Sequence, residues 1–248
     1  MEQIYTIPVN EAFDACLDES AAEINAEQKT VPCHCPVCRL YETLNDHELT
    51  RILGAAMMEP DVRIETNREG FCPTHFRAMF TRKNRLGLAL MLESHLDSLK
   101  SELRSSAVGN LLKGAGSSAL ARETKLEADC YVCRRIETNF ARMIDTVVYL
   151  YRTDDAFRRK FAAQPFFCLP HYRRMAEAAK QKLPKKLYAD FYRDLENVML
   201  GTLDTLKEDV SWFCKKFDYR YENEPWYNSK DAVERAIAFL STTEGLHS

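Results

Sequence analysis

Apolar residues along the chain recur mainly at three- and four-residue steps, which places them on one face of an α-helix, and strand-like alternation is rare. Residues 40–53 are predicted to form one helix or a broken pair, and a long helix is predicted from Pro73 to about Leu103. Further helices are predicted in the second half of the chain, over 131–151, from Asp154, over 170–183, over 185–217, and over 229–240 with Ser229 as the N-cap. The pattern therefore predicts an all-α fold.

Composition supports this prediction. The 248 residues contain 8 glycines and 9 prolines, about 7% of the chain against an average usage near 12%, and this scarcity favours helices over turn-rich β-structure. The stretch 105–119, rich in Ser, Gly and Ala, is predicted to be a connector between two halves. With 46% hydrophobic residues the chain can form a sizeable core.

Charge and hydropathy exclude several classes of protein. The net charge of −3 supplies no overall positive field that would recruit nucleic acid. The longest apolar run, residues 86–92, is far shorter than the roughly 20 residues that cross a bilayer. No signal-like segment is visible at the amino terminus. These features predict a cytoplasmic protein without a membrane or nucleic-acid partner, in which nine cysteines favour metal binding over disulfides.

The chain repeats a pair of cysteine-containing motifs. The ten residues from Cys35 match those from Cys130 at six positions, and the ten residues from Phe71 match those from Phe167 at five. The two matches are offset by 95 and 96 residues, respectively. Each half therefore reads CxxC, then 33 or 34 residues, then CxxH, which indicates one duplicated unit.

A CxxC pair and a CxxH pair together offer three sulfurs and one imidazole nitrogen, the ligand set of a closed tetrahedral zinc site. Three thiolates and one Zn²⁺ sum to a charge of −1, and helix N-termini favour such anionic centres. Prolines at or beside these motifs predict helix starts there. Spacing alone leaves open whether each repeat closes its own site or the motifs pair across a pseudo-twofold axis. We expect closure within each repeat, which gives two zinc sites made of the following residues: Cys35, Cys38, Cys72 and His75; and Cys130, Cys133, Cys168 and His171.

An iron–sulfur cluster is the alternative cofactor, because cysteine-rich sets with one histidine also hold iron. That alternative would make the protein a redox protein or oxidoreductase. Cys33 could add a thiolate to the first site, but Ala128 occupies the equivalent position in the second repeat, so a role shared by both sites does not require it. A free thiol in a loop is the plainer interpretation of Cys33.

Signals for other functions are weak. The common nucleotide-binding, esterase and metalloprotease motifs do not occur, so there is no positive catalytic signature. The segment Phe217–Trp226 places charged groups among aromatic residues and could bind a small ligand or a protein partner. It is equally typical of a helix connection in which Arg220 pairs with an acid.

His47 and His95 lack a metal-spaced partner and are expected on solvated helix faces.

Several further motifs point to a family. They are IYTIPVNEAF from Ile4, CHCPVC from Cys33, MMEPDVR from Met57, FDYR from Phe217, EPW from Glu224 and SKDA from Ser229. With these motifs the chain resembles an uncharacterised bacterial domain-of-unknown-function family from residue 4 to about residue 240. The resemblance implies one folded unit but no activity.

The predicted organisation has five parts: an N-terminal segment over 1–32, repeat 1 with its metal site over 33–104, the linker over 105–119, repeat 2 with its metal site over 120–183, and C-terminal helices with the aromatic loop over 184–248. The function predicted from the sequence is a zinc-binding protein with a binding or scaffold role, in which the metal is structural.

Overall fold

A computed structural model describes residues 2–24, 35–113, 124 and 129–241. Within these ranges the regular structure is entirely helical, which confirms the predicted all-α fold. The described residues form ten α-helices, which are α1 (Thr6–Ile24), α2 (Pro36–Leu53), α3 (Pro60–Glu69), α4 (Pro73–Thr81), α5 (Arg85–Lys113), α6 (Tyr131–Thr153), α7 (Asp155–Ala162), α8 (Leu169–Lys182), α9 (Lys185–Lys215) and α10 (Ala232–Ser241). No helix in the described ranges is both long enough and apolar enough to cross a membrane.

The order of the helices repeats along the chain. Helices α2 to α5 comprise a CxxC helix, a short helix, a CxxH helix and a helix of 29 residues, and α6 to α9 follow the same order and end in a helix of 31 residues. This order agrees with the duplication inferred from the motifs.

The predicted long helix from Pro73 to about Leu103 is wrong, because the structure divides it into α4 and α5. Arg82 adopts an extended backbone conformation that ends α4. The Asn84 side chain then accepts a hydrogen bond from the backbone N–H of Gly87 at 2.9 Å, as an N-cap residue does at the start of a helix. A capping residue inside an apolar periodic run therefore starts a new helix.

Two other helix starts test the capping predictions. Asp154 caps α7 as expected, because its carboxylate accepts hydrogen bonds from the backbone N–H groups of Ala156 and Phe157. Ser229 does not cap α10, because its hydroxyl donates to the backbone carbonyl of Trp226 and the helix begins three residues later.

Helix α5 continues to Lys113, so residues 105–113 of the predicted connector are helical. The rest of the connector lies outside the described residues.

The chain divides into two compact units. The first contains Met1–Glu42 and Phe140–Ser248, and the second contains Thr43–Asn139. The boundaries lie inside helices α2 and α6. The duplicated motifs are therefore distributed so that each unit contains a CxxC from one repeat and a CxxH from the other.

An aromatic cluster fills the core of the first unit. Its rings belong to Phe13, Tyr151, Phe157, Phe161, Phe167 and Phe191, all buried. The centroids of Tyr151 and Phe191 lie 4.8 Å apart, and those of Phe161 and Phe167 lie 5.1 Å apart. Such aromatic pairs contribute about 0.5–1.5 kcal/mol each beyond the burial of their area.

The core of the second unit is mainly aliphatic. Buried side chains from α2, α4, α5 and α6 form it, among them Leu49, Ile52, Met79, Met91 and Ile136. Tyr131 at the start of α6 is also buried and lies edge-on to Phe71, with 6.5 Å between the ring centroids.

Candidate metal centres

The eight predicted ligands form two groups, each inside one compact unit. The first, called here the buried quartet, consists of Cys35, Cys38, Cys168 and His171. The second, called the half-exposed quartet, consists of Cys72, His75, Cys130 and Cys133. In each quartet the four ligand atoms lie within 4.8 Å of one another. Both groups could therefore hold a metal ion.

The expected closure within each repeat is wrong, because the CxxC of each repeat meets the CxxH of the other. Helix lengths give the physical reason. Helix α2 has 18 residues and α3 has 10, which at 1.5 Å per residue correspond to about 27 Å and about 15 Å. Even if α3 ran antiparallel to α2, its length alone would return the chain only about half of the way to Cys35. The second repeat has the same imbalance, with 23 residues in α6 and 8 in α7.

Helix starts present all four ligand pairs. Cys72 and Cys168 are the N-cap residues of α4 and α8, with extended backbone conformations. Cys35 and Cys130 lie one residue before α2 and α6, and their carbonyls accept the first helical hydrogen bonds, from the N–H groups of Arg39 and Arg134. The second ligand of each pair follows three residues later, one turn along the helix. Each quartet therefore joins the N-termini of two helices, where the macrodipole favours negative charge.

The buried quartet is almost completely shielded from solvent. Its four side chains are 0–4% exposed. The Nδ1 atom of His171 lies 3.1 Å from the Cys168 sulfur, 3.3 Å from the Cys38 sulfur and 3.8 Å from the Cys35 sulfur. The sulfurs of Cys38 and Cys168 are 3.6 Å apart.

The half-exposed quartet has the same ligand arrangement in a more open position. The Nδ1 atom of His75 lies 3.2 Å from the Cys72 sulfur and 3.3 Å from each of the sulfurs of Cys130 and Cys133. The sulfurs of Cys72 and Cys133 are 3.8 Å apart. His75 and Cys130 are buried, Cys72 is partly buried and Cys133 is exposed.

These separations match the edges of a tetrahedron around one ion. With bonds of about 2.3 Å to sulfur and about 2.05 Å to nitrogen, ideal tetrahedral angles give edges of roughly 3.8 Å between sulfurs and roughly 3.6 Å between sulfur and nitrogen. The sulfur–sulfur distances of 3.6 and 3.8 Å agree closely. Five of the six sulfur–nitrogen distances, 3.1–3.3 Å, are shorter than the expected edge, and the sixth is 3.8 Å.

Burial determines the protonation of the first quartet when no cation is bound. It lowers the pKa of His171 to about 4, with a smaller contribution from the nearby charge of Arg174, so the imidazole is neutral at pH 7 and able to bind a metal. Burial raises the pKa of the Cys35 thiol well above its ordinary value. The contact with Cys35 lowers the pKa of Cys168, but the Cys38 sulfur and burial outweigh it and leave that pKa raised. Ionisation of these thiols therefore needs a positive charge at the centre of the quartet.

In the half-exposed quartet the contact between two thiols shifts their pKa values in opposite directions. A hydrogen bond from Cys133 lowers the pKa of Cys130, while the same contact and burial raise the pKa of Cys133. The backbone N–H of Cys133 also donates to the Cys130 sulfur at 3.5 Å. One thiolate can thus form in this quartet before any metal binds.

Different side chains support the two histidines. The Nε2 atom of His75 lies 3.2 Å from the Oδ1 atom of Asn45. Donation from Nε2–H to this oxygen leaves Nδ1 unprotonated and directed at the sulfurs, the usual way in which a neighbouring acceptor orients a metal-binding histidine. In the buried quartet the ring of His171 instead lies edge-on to Phe140, with 5.3 Å between the centroids. Asn45 and Phe140 occupy equivalent positions in the two repeats, ten residues after Cys35 and Cys130.

Ion pairs flank the half-exposed quartet. Arg134, next to Cys133, donates to the buried carboxylate of Glu69 at 2.6 Å, and Arg135 donates to the buried carboxylate of Glu48 at 2.9 Å. Arg51 contacts Glu48 and donates to the hydroxyl of Tyr131 at 2.9 Å. These contacts connect the start of α6 to α2 and α3.

The sequence provided no signal for Asn45, Glu48 or Glu69 as supporting residues. They lie 30, 87 and 65 positions from His75, Arg135 and Arg134, respectively. Only the alignment of the two repeats could have drawn attention to Asn45, as a position where they differ in polarity.

Other cysteines and histidines have varied positions. Cys33 lies outside the described residues, so its suggested role stays a prediction. Cys16 is buried, whereas Cys214 is exposed. His95 is buried rather than solvated, because α5 turns this side chain inward.

The C-terminal aromatic segment is held largely by its own contacts. Arg220 pairs with Asp218 at 2.6 Å, and the Lys216 ammonium donates to the backbone carbonyls of Tyr221, Glu222 and Glu224 at 2.6–2.8 Å. A concave region of about 540 Å³ lies along α9 and is bordered by Trp212 and Tyr227, but Arg220 and Trp226 do not line it. The charges of this segment stabilise the connection between α9 and α10.

The fold and the two quartets define an all-α protein with two four-ligand groups able to bind metal. A family model described as a family of unknown function, DUF6062, matches residues 1–245. The chain therefore belongs to this family, and the predicted membership in an uncharacterised domain family is confirmed. No curated protein and no solved structure matches the chain.

Proposed function

We propose that the protein binds two zinc ions with structural roles, one in each quartet, and that the helical units held by these ions act as a binding or scaffold protein. The observation that carries this proposal is the match between the ligand separations and a tetrahedron around a single ion. In zinc proteins a set of four protein ligands is typical of structural sites, whereas catalytic zinc keeps one position for water or substrate.

The geometry favours a single ion over an iron–sulfur cluster. A cluster distributes its ligands over several iron atoms with sulfides between them, and this spreads the ligand atoms more widely than a single tetrahedral ion does. In both quartets all four ligand atoms lie within 4.8 Å of one another. Three thiolates and one neutral imidazole are also a common structural zinc set.

The expected energetic role of the zinc ions is large. Structural zinc binding contributes apparent free energies of about 10–16 kcal/mol in peptide models at neutral pH, comparable with the whole stability of a typical domain. Each ion would connect two helix N-termini within its compact unit. The exposed surface of these helices is then available for a partner that remains to be identified by experiment.

Metal analysis of protein purified without oxygen tests this proposal. We expect a colourless protein that contains two zinc ions per chain by inductively coupled plasma mass spectrometry, and a sharply lower melting temperature after chelation. Visible absorbance with stoichiometric iron and acid-labile sulfide would establish the iron–sulfur alternative. An unchanged thermal transition after complete removal of zinc would contradict the structural role.

A further inference from the structure

The two quartets differ most in the solvent access of their sulfurs. In the buried quartet the three cysteines are 0–2% exposed. In the half-exposed quartet Cys133 is exposed and Cys72 is partly buried. A dissolved oxidant can therefore reach sulfur in one quartet and is excluded from sulfur in the other.

The two accessible sulfurs are also neighbours. Cys72 and Cys133 belong to different helices, α4 and α6, and their sulfurs are 3.8 Å apart. Formation of a disulfide requires them to approach by about 2 Å, to the usual S–S bond length of about 2.05 Å. The third cysteine of this quartet, Cys130, is buried, and its sulfur accepts a backbone hydrogen bond from Cys133.

We propose that the half-exposed quartet is an oxidation-sensitive site, at which a peroxide joins Cys72 to Cys133 and releases the metal ion. This inference rests on the proposed zinc binding and assigns a regulatory chemistry to one of the two sites. Coordination keeps the cysteines as thiolates, the form of cysteine that reacts with peroxides.

The reaction balances with hydrogen peroxide as the oxidant. The Cys133 thiolate attacks one peroxide oxygen, an S–O bond forms, the O–O bond breaks and hydroxide leaves, so that sulfur is oxidised by two electrons to the sulfenic acid and the peroxide is reduced. The Cys72 thiolate then attacks the Cys133 sulfur. An S–S bond forms, the S–O bond breaks and a second hydroxide leaves.

Zinc undergoes no redox change in these two reactions, but it loses two of its four ligands. Cys130 and His75 alone do not form a closed tetrahedral site, so the ion leaves to solvent. The new disulfide connects the starts of α4 and α6, which the zinc ion had joined. The buried quartet retains its ion, because its sulfurs lie out of reach of the peroxide.

The experiment uses the full-length, zinc-loaded chain with hydrogen peroxide, and a colorimetric zinc indicator reports release. We expect one of the two zinc ions to be released while the other is retained, with peptide mapping by mass spectrometry showing a Cys72–Cys133 disulfide. A thiol reductant followed by zinc should restore the original content. Failure of the proposed zinc binding would be seen before oxidant is added, as a chain without two zinc ions.

Two variants separate the site from general thiol oxidation. Cys133→His removes the sulfur that the peroxide attacks. Its zinc content is measured before oxidant is added, and peroxide should then release none of that zinc and leave Cys72 as a free thiol. Cys214→Ser removes an exposed cysteine outside the quartets and should release zinc as the wild type does. Release of both ions together, release from Cys133→His at the wild-type rate, or a disulfide other than Cys72–Cys133 would overturn the proposal.

Discussion

The two quartets have identical ligands and different surroundings. The buried quartet is enclosed by apolar groups, with Phe140 against the ring of His171. The half-exposed quartet is supported by polar contacts, with Asn45 at the ring of His75 and ion pairs next to Cys133. The comparison indicates that one ligand geometry can be maintained either by burial or by oriented hydrogen bonds. Only the half-exposed quartet, which is supported by oriented hydrogen bonds, has a sulfur accessible to solvent.

Because the surroundings of the two quartets differ, loss of the metal ion should have different effects at each of them. Removal of the ion from the buried quartet leaves polar groups inside an apolar core, where an unsatisfied group costs about 1–3 kcal/mol in addition to the lost metal binding. Removal of the ion from the half-exposed quartet allows water to reach Cys133. We therefore expect the two sites to differ in stability, affinity and reactivity.

The largest effect is expected for Cys35→Ser. This variant should lose one zinc ion per chain and most of the stability of the first unit, because the binding free energy of a structural zinc ion is comparable with the stability of a domain, about 10 kcal/mol. Cys16→Ser is the matched control, because Cys16 is equally buried and lies outside both quartets. It should retain two zinc ions and lose only about 1–3 kcal/mol for the buried hydroxyl. Zinc analysis and thermal unfolding followed by circular dichroism measure both variants. Similar unfolding of Cys35→Ser and Cys16→Ser would show that the buried quartet has no structural ion.

A smaller effect is expected for Cys133→Ser. One zinc ion should be lost and the second unit should unfold at a lower temperature, while the first unit retains its ion and its transition. The loss of stability is smaller than in Cys35→Ser because the substituted side chain is exposed and its hydroxyl is solvated. Cys214→Ser, also at an exposed cysteine, should retain two zinc ions and the wild-type transitions. Loss of both ions from Cys133→Ser would show that the sites are not independent, and the comparison between them would fail.

The hydrophobic periodicity was sufficient to predict the all-α class, and the motifs were sufficient to predict which eight residues form the two quartets. Cys35, Cys72, Cys130 and Cys168 were predicted at helix starts because proline residues lie beside most of them, and the structure confirms these positions. The pairing of the motifs could not be predicted. Closure within or across repeats depends on the relative lengths of α2 and α3, and thus on helix boundaries that periodicity locates only within a few residues.

The surroundings of the two sites could not be predicted from the sequence either. Solvent access at Cys133 and its absence at Cys38 result from tertiary packing, although the two residues occupy the same position in their repeats. The predicted helix from Pro73 failed for a local reason, because Asn84 caps a new helix. Short-range capping chemistry can be recognised in a sequence, whereas contacts between residues such as His75 and Asn45 require the folded chain.

The contrast between Asn45 and Phe140 predicts an effect on metal affinity. Asn45→Ala removes the acceptor that orients His75 and should weaken zinc binding at the half-exposed quartet by about 10–100-fold, as is typical for loss of such a supporting contact. Asn45→Asp keeps an acceptor oxygen and should retain affinity, and Asn223→Ala, at an exposed asparagine, should have no effect. Competition titration with a chromophoric chelator resolves the weaker site from the stronger one. Equal weakening in Asn45→Ala and Asn45→Asp would indicate that the hydrogen bond does not orient the ring.

The smallest effect is expected from the ion pairs beside the half-exposed quartet, and it depends on pH. Burial raises the pKa of Glu48, but hydrogen bonds from Arg135 and Arg51 outweigh it and leave that pKa lowered. The folded state therefore binds a proton at Glu48 less readily than the unfolded state does. The resulting stabilisation is fully present above the unfolded pKa of about 4.3 and is lost as the pH falls through the lowered folded value.

Glu48→Gln removes this contribution and should destabilise the second unit by about 1.5–3 kcal/mol at pH 7, the range for hydrogen bonds to charged groups. Urea unfolding of wild type and variant should show a constant difference in free energy from pH 7 to about pH 5 and a shrinking difference as the pH falls below about 4. Acid effects on the metal ligands are common to both proteins and cancel in this difference. Glu93→Gln, at an exposed glutamate of the same unit, should match wild type throughout. A difference that stays constant or widens on acidification would mean that Arg51 and Arg135 do not stabilise the charged form of Glu48, and the polar support assigned to the half-exposed quartet would then reduce to the Arg134–Glu69 ion pair and the contact between Asn45 and His75.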